Sequence, residues 1–300
     1  MKKLRNFWDL LVMTGQKWNM DNIPWLSAAL AYYTLFSLAP VFIIVVVIGG
    51  AVFGESAVKG QIVEYLGGLI GLGSANAIQK MIEAGKDLAT FSIGNILGLI
   101  VIWIAATNAF SHLKSTLNQI WAVPSKEGHW MGNWVKEVVI TRIVSIGMIL
   151  MIGFLLLLLV IIDISLAKFD EVLSQFLPAF DLVYLWQIGN IIISFLITFV
   201  IFAALYIFLP DTKVLRSDVW QGAALSSFLF TIGKFLISLY LGNSQIISLF
   251  GAASSFVVIL VWVYYSYQIF FFGAAFSHNY AEKFGSYAKE PVNDQKEEVS

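Results

Sequence analysis

The sequence has no cysteine, and only 12% of its 300 residues are charged. Without cysteine there can be no disulfide, no thiolate-held zinc and no thiol nucleophile. Three histidines, His112, His129 and His278, are far apart and lack metal-ligand spacing. Neither a P-loop nor a G-x-S-x-G elbow is present, and the Gly67–Gly73 stretch lacks the Lys-Ser/Thr that phosphate cradling needs. No Asp or Glu falls well inside an apolar run, which argues against a carboxylate proton or sodium relay. We therefore expect no enzyme, no metal and no cofactor. A net charge of −1 gives no sign of a polyanion partner such as nucleic acid.

Apolar surface is abundant instead. Hydrophobic residues make up 59% of the chain, and its mean hydropathy is +0.81. A soluble domain is nearer half apolar and a quarter charged. The fold class expected is all-α: a polytopic membrane protein with six transmembrane helices, near 26–53, 92–112, 138–162, 184–209, 217–241 and 252–277. Together they form a transmembrane domain over 26–280. Residues 1–25 precede it as an amphipathic interfacial helix, with Leu4, Phe7, Trp8, Leu11, Val12, Gly15 and Trp18 on one face. Residues 281–300 read as a polar, disordered cytoplasmic tail.

Between spans one and two, Val58, Ile62, Tyr65, Leu66, Leu69 and Ile70 share a helical face, and Ala75, Ile78, Met81 and Ile82 suggest a second short helix. These predict a helical lid on the outer surface. After span two, Leu113, Leu117, Ile120 and Trp121 continue an amphipathic helix along the inner surface. Pro210 ends span four, so the short 210–216 connection makes spans four and five antiparallel neighbours. Lysines and arginines set the orientation. With the N-terminus inside, thirteen lie on inner segments and four (Lys59, Lys80, Lys86, Lys168) on outer ones, so both termini are expected in the cytoplasm.

Polar residues recur at helical spacing within the spans. Ser227, Thr231, Lys234 and Ser238 share one face of span five, and Asn190, Ser194 and Thr198 one face of span four. In span two, Gly94, Gly98, Ala105, Asn108 and His112 align. Span one carries Tyr33 and Ser37 before Pro40, where a kink and hinge are expected. Span six offers Trp262, Tyr265 and Gln268. Convergence of these faces would build a polar cavity inside the bundle. Small and hydroxylated residues also serve plain helix packing, so each stripe keeps that alternative. Lys234 is the sharpest of these residues. It lies ~10 Å deep at helical rise, where a charge costs about 1–3 kcal/mol. Its stem is also long enough to snorkel to the interface. Asp163 and Asp218 fall at span ends, where solvated or capping roles are expected.

Several segments, in order, resemble one family. Ala28-Ala29-Leu30-Ala31-Tyr32-Tyr33-Thr34-Leu35-Phe36-Ser37-Leu38-Ala39-Pro40 resembles the signature opening of the YihY/BrkB family of bacterial inner-membrane proteins. Leu205-Tyr206-Ile207-Phe208-Leu209-Pro210-Asp211 resembles the end of its fourth span, and Trp220-Gln221-Gly222-Ala223 the start of its fifth. Gly251-Ala252-Ala253-Ser254-Ser255, Trp262-Val263-Tyr264-Tyr265-Ser266, Gln268 and Phe272-Gly273-Ala274 resemble its last. The resemblance implies a multi-pass protein of the bacterial cytoplasmic membrane. The family has carried a ribonuclease BN label, which no catalytic constellation here supports. The function expected is a transporter or flippase for a lipid-like or amphiphilic, anionic substrate. An ion or small-solute exchanger and a non-transporting envelope scaffold are the alternatives. Membrane lipids are the expected partners, with homo-oligomerisation open.

Overall fold

The computed structural model describes residues 2–53, 55–87, 109–123, 181–212, 214–241 and 253–287. All regular structure among the described residues is helical. In chain order the helices are α1 (Lys2–Met20), α2 (Ile23–Phe53), α3 (Glu55–Ile70), α4 (Leu72–Asp87), α5 (109–120), α6 (Asp181–Phe208), α7 (Arg216–Leu241) and α8 (Ser254–Lys283). Within this set, α6 over Ile191–Phe208 and α8 over Ser254–Lys283 are long and apolar enough to cross a membrane. A shorter apolar helix covers Ile23–Leu38. Most of span two and all of span three lie outside the described residues, with Asn108, Gly94, Gly98, Ala105, Asp163 and Lys168.

The two short helices expected between spans one and two, α3 and α4, form as their periodicity predicts. Gly71 separates them at φ +81°, a left-handed conformation that costs glycine little. Its N–H caps α3 through the Gly67 carbonyl at 3.0 Å. Ile62, Ala75, Ile78 and Ile82 are buried. Ile62, Ile78 and Ile82 build one core with Ala31, Phe42 and Val46 of α2 and Ile259 and Val263 of α8. A second core, toward α1, joins Ile23 and Leu30 to Leu113, Leu117 and Ile120 of α5, Phe202 and Tyr206 of α6, Ala223 of α7 and Phe270–Ala275 of α8. Helices α2 and α8 thus run through both cores. The α5 stripe read from sequence is the buried face, including Trp121.

Helix α6 stops at Phe208, two residues before Pro210. Contacts between α6 and α7 pair Ser194 with Lys234, Phe202 with Phe230 and Tyr206 with Ser226. Rising numbers on one helix meet falling numbers on the other, so the two are antiparallel neighbours. Helix α2 runs unbroken from Ile23 to Phe53, across Pro40.

Two expectations shift. The face of α1 that packs inward centres on Leu10 and Thr14, both buried, whereas Trp8 and Val12 are exposed. The tight edge includes a threonine because Asn279 of α8 donates to Thr14 Oγ1 at 3.2 Å, while Thr14 donates to the Leu10 carbonyl. Hydropathy alone could not place that edge. The chain is also ordered past residue 281: α8 reaches Lys283 and a turn continues to Tyr287.

Candidate functional site

The polar residues of the bundle fall into three groups. The first is the pair of stripes on α6 and α7. Ser227 donates to the Ala223 carbonyl, Thr231 to Ser227 and Thr198 to Ser194, each at 2.8 Å. These hydroxyls satisfy themselves on the preceding turn of their own helix. Lys234 is different: its Nζ donates across to Ser194 Oγ at 3.0 Å, joining the two stripes. The ammonium also lies 5.8 Å from the Phe230 ring centre, within cation–π range. Asn190 and Ser238 lie on the same helices, with side chains outside the described set.

The second group is a seam between α6, α7 and α8. Tyr206 is fully buried and donates to the Phe270 carbonyl. Its hydroxyl oxygen also lies 2.8 Å from Ser226 Oγ, which in turn donates to the Ile269 carbonyl at 3.3 Å. One tyrosine hydroxyl therefore ties three helices. Around it, α7 and α8 approach so closely that a Cβ on Gly222 would run into Ser277 Oγ and the Gly273 carbonyl oxygen. Family-like segments covered Tyr206, Gly222 and Gly273, but their role is visible only with the helices in register. Another interhelical contact joins Thr34 of α2 to Tyr267 of α8, 2.8 Å between hydroxyl oxygens.

Other residues singled out from sequence have local partners. Ser37 donates to the Thr34 carbonyl at 3.0 Å. Tyr33 stacks on His112, with centroids 4.8 Å apart and planes 7° from parallel. Tyr265 packs its ring on Gly233 and reaches the Leu229 carbonyl at 3.5 Å. Trp262 meets Phe230 edge-on at 5.8 Å. Gln268 has a buried Oε1 with no hydrogen-bond partner. The side chain of Pro40 is outside the described set. Tyr33 and Lys234 have different neighbours; nothing described brings them to one cavity.

The third group lies at the α1 end. Asp218 was expected to be solvated or capping, yet it is only 1% exposed. Its carboxylate accepts from Ser217 Oγ at 3.2 Å, from Ser286 N at 3.2 Å and from Ser286 Oγ. It thus holds the 284–287 turn against the start of α7. Nearby in the fold, Lys114 pairs with Asp211 at 2.7 Å, and Asn118 clasps Asp211 through both side-chain atoms, at 2.9 and 2.8 Å. His278 packs edge-on against Trp121 at 5.5 Å, and His129 lies outside the described residues.

Known proteins now place the chain. The family model described as virulence factor BrkB matches residues 14–298. The chain belongs to the BrkB family. A UPF0761 membrane protein of Psychromonas ingrahamii is 27% identical over 281 residues, covering 91% of this chain and 88% of the relative. One of Alteromonas mediterranea is 25% identical over 286 residues, covering 92% and 89%. One of Xanthomonas campestris is 23% identical over 251 residues, 83% of this chain but 55% of the longer relative. These names establish a membrane location for this BrkB-family chain. No solved structure matches it.

Proposed function

We propose that this BrkB-family chain is a transporter or flippase for an anionic, lipid-like amphiphile, not an enzyme. In this reading it spans the bacterial cytoplasmic membrane six times with both termini inside, supported by the thirteen-to-four distribution of basic residues. One observation carries the reading. Lys234 sits seven residues before the end of α7, among apolar neighbours, with its ammonium directed at Ser194 of the adjacent helix. A cation held between two apolar helices is costly and marks substrate paths in membrane proteins. Beside Phe230 it offers a charge and an apolar wall together, which suits a molecule with both characters.

The test is flux of labelled phosphatidylglycerol in proteoliposomes. Lys234→Met keeps the stem and removes the charge. It should reach normal abundance yet lose about ten-fold in flux, the worth of one charged hydrogen bond. Lys234→Arg should keep part of the activity, since its charge survives in a different shape. Unchanged flux of every tested anionic amphiphile in Lys234→Met sinks the proposal. A second reading, the non-transporting scaffold, draws on Ser227, Thr231 and Thr198 bonding only to their own helices. It predicts wild-type flux no greater than in empty vesicles.

A further inference from the structure

A groove of about 680 Å³ runs between α1, α7 and α8. That volume is in the range of ligand sites, ~300–1,000 Å³. Phe7 and Leu10 of α1, Leu225 and Phe228 of α7 and Phe276 of α8 give it an apolar body. Gln221, Tyr280 and Phe284 line it toward the start of α7 and the end of α8. From Gln221 to Phe228 the helix rises ~10 Å, so the groove is polar at one end and apolar along its depth. Lys283 adjoins the polar end. Its ammonium is 5.6 Å from the Phe284 ring centre, and its contact with Asp9 is a 3.5 Å pair between partly exposed groups. Exposed pairs of this kind hold their charges weakly.

We propose that this groove binds one phospholipid from the leaflet bordering α1, with an acyl chain along Phe228 and Phe276 and the phosphate at Lys283. Two observations select this occupant. The α7 wall continues past the groove as Phe228, Ile232 and Phe235, spaced i, i+4, i+7 and all exposed, with Phe235 at 64%. In a membrane protein such a stripe faces lipid tails, so the groove opens sideways into the hydrocarbon and not into water. The polar end then offers amide, phenol and ammonium donors and no unpaired carboxylate among its lining residues, which matches a phosphate in charge. Helix α1 forms one wall, so the lipid becomes part of how α1 seats on the bundle. This site is separate from Lys234, which faces α6, and does not depend on transport.

The experiment is native mass spectrometry of the full chain, purified in detergent and supplied with phosphatidylglycerol or with an uncharged alkyl glucoside. The wild type should retain phosphatidylglycerol in preference to the glucoside. Ala224→Trp fills the groove and should cut retention at least about ten-fold, the scale of a one-group misfit in an apolar pocket. Ile192→Trp, on the exposed side of α6, should leave it unchanged. Lys283→Gln, which removes the charge and keeps part of the stem, should lower retention about five-fold, the usual worth of one basic residue at a lipid surface. The proposal is overturned if neither Ala224→Trp nor Lys283→Gln lowers retention. It is equally overturned if the wild type retains no phospholipid, or if a second copy of the chain buries the groove. Lys234→Met should retain lipid like the wild type, which separates this outcome from the fate of the transport reading.

Discussion

The two halves of α7 are made from similar residues and do opposite things. In the half nearer Arg216, Asp218 and Ser226 reach other elements, the 284–287 turn and Tyr206, while Ser227 bonds back to Ala223. The one glycine of this half, Gly222, lets α8 come into backbone contact. In the half nearer Leu241, Thr231 bonds back to its own helix, Ile232, Phe235 and Leu236 are exposed, and Lys234 reaches Ser194 of α6. A serine or threonine in an apolar helix therefore does not mark a cavity by its spacing. What matters is whether its proton leaves the helix. The first half fixes how the helices sit, and the second is free to carry function.

Substitutions can break this contrast at three strengths. The largest effect is expected from Gly222→Val. Its branched side chain would collide with the Gly273 backbone, which cannot rotate away, and overpacking of this kind costs about 3 kcal/mol. Loss of membrane abundance, or a large drop in melting temperature in detergent, checks it. A normal melting temperature would mean the seam can open. Tyr206→Phe comes next. It removes the hydroxyl that donates to the Phe270 carbonyl and meets Ser226 Oγ, so the buried seam loses its link between three helices at a cost of about 1–2 kcal/mol. Thermal unfolding measures it, and a change below half that value would show the network to be loosely held. Thr231→Val should be the mildest, within about 0.5 kcal/mol of wild type, because its hydroxyl bonds only to its own turn. A penalty like that of Tyr206→Phe would erase the difference between the halves.

Much of the helical outline was legible from sequence. Leu113, Leu117, Ile120 and Trp121 sat at core spacing and are buried, the periodicity of 58–82 showed α3 and α4, and Pro210 closed α6. Those signals are local, written in periodicity and backbone preference. The seam was not legible in the same way. Tyr206, Ser226 and Gly273 come from three helices, and no local pattern tells a tyrosine that bridges helices from one that faces lipid. Apolar residues fill both faces of a helix in lipid, so hydropathy loses the contrast that orients a soluble helix. The inward edge of α1 shows the same limit, since it depends on a threonine finding Asn279. Asp218 was misplaced for a related reason: its partners lie 68 residues further on.

Helix α1 is synthesised before α8, which carries its docking partners. Asn279 holds Thr14 and Lys283 approaches Asp9, so the seat for α1 does not exist until α8 has been made. Throughout synthesis Leu10 and Thr14 must wait without their final cover, while the intervening helices emerge. The final seating of α1 therefore waits on α8, and a chain halted before α8 lacks the contacts from Asn279 and Lys283.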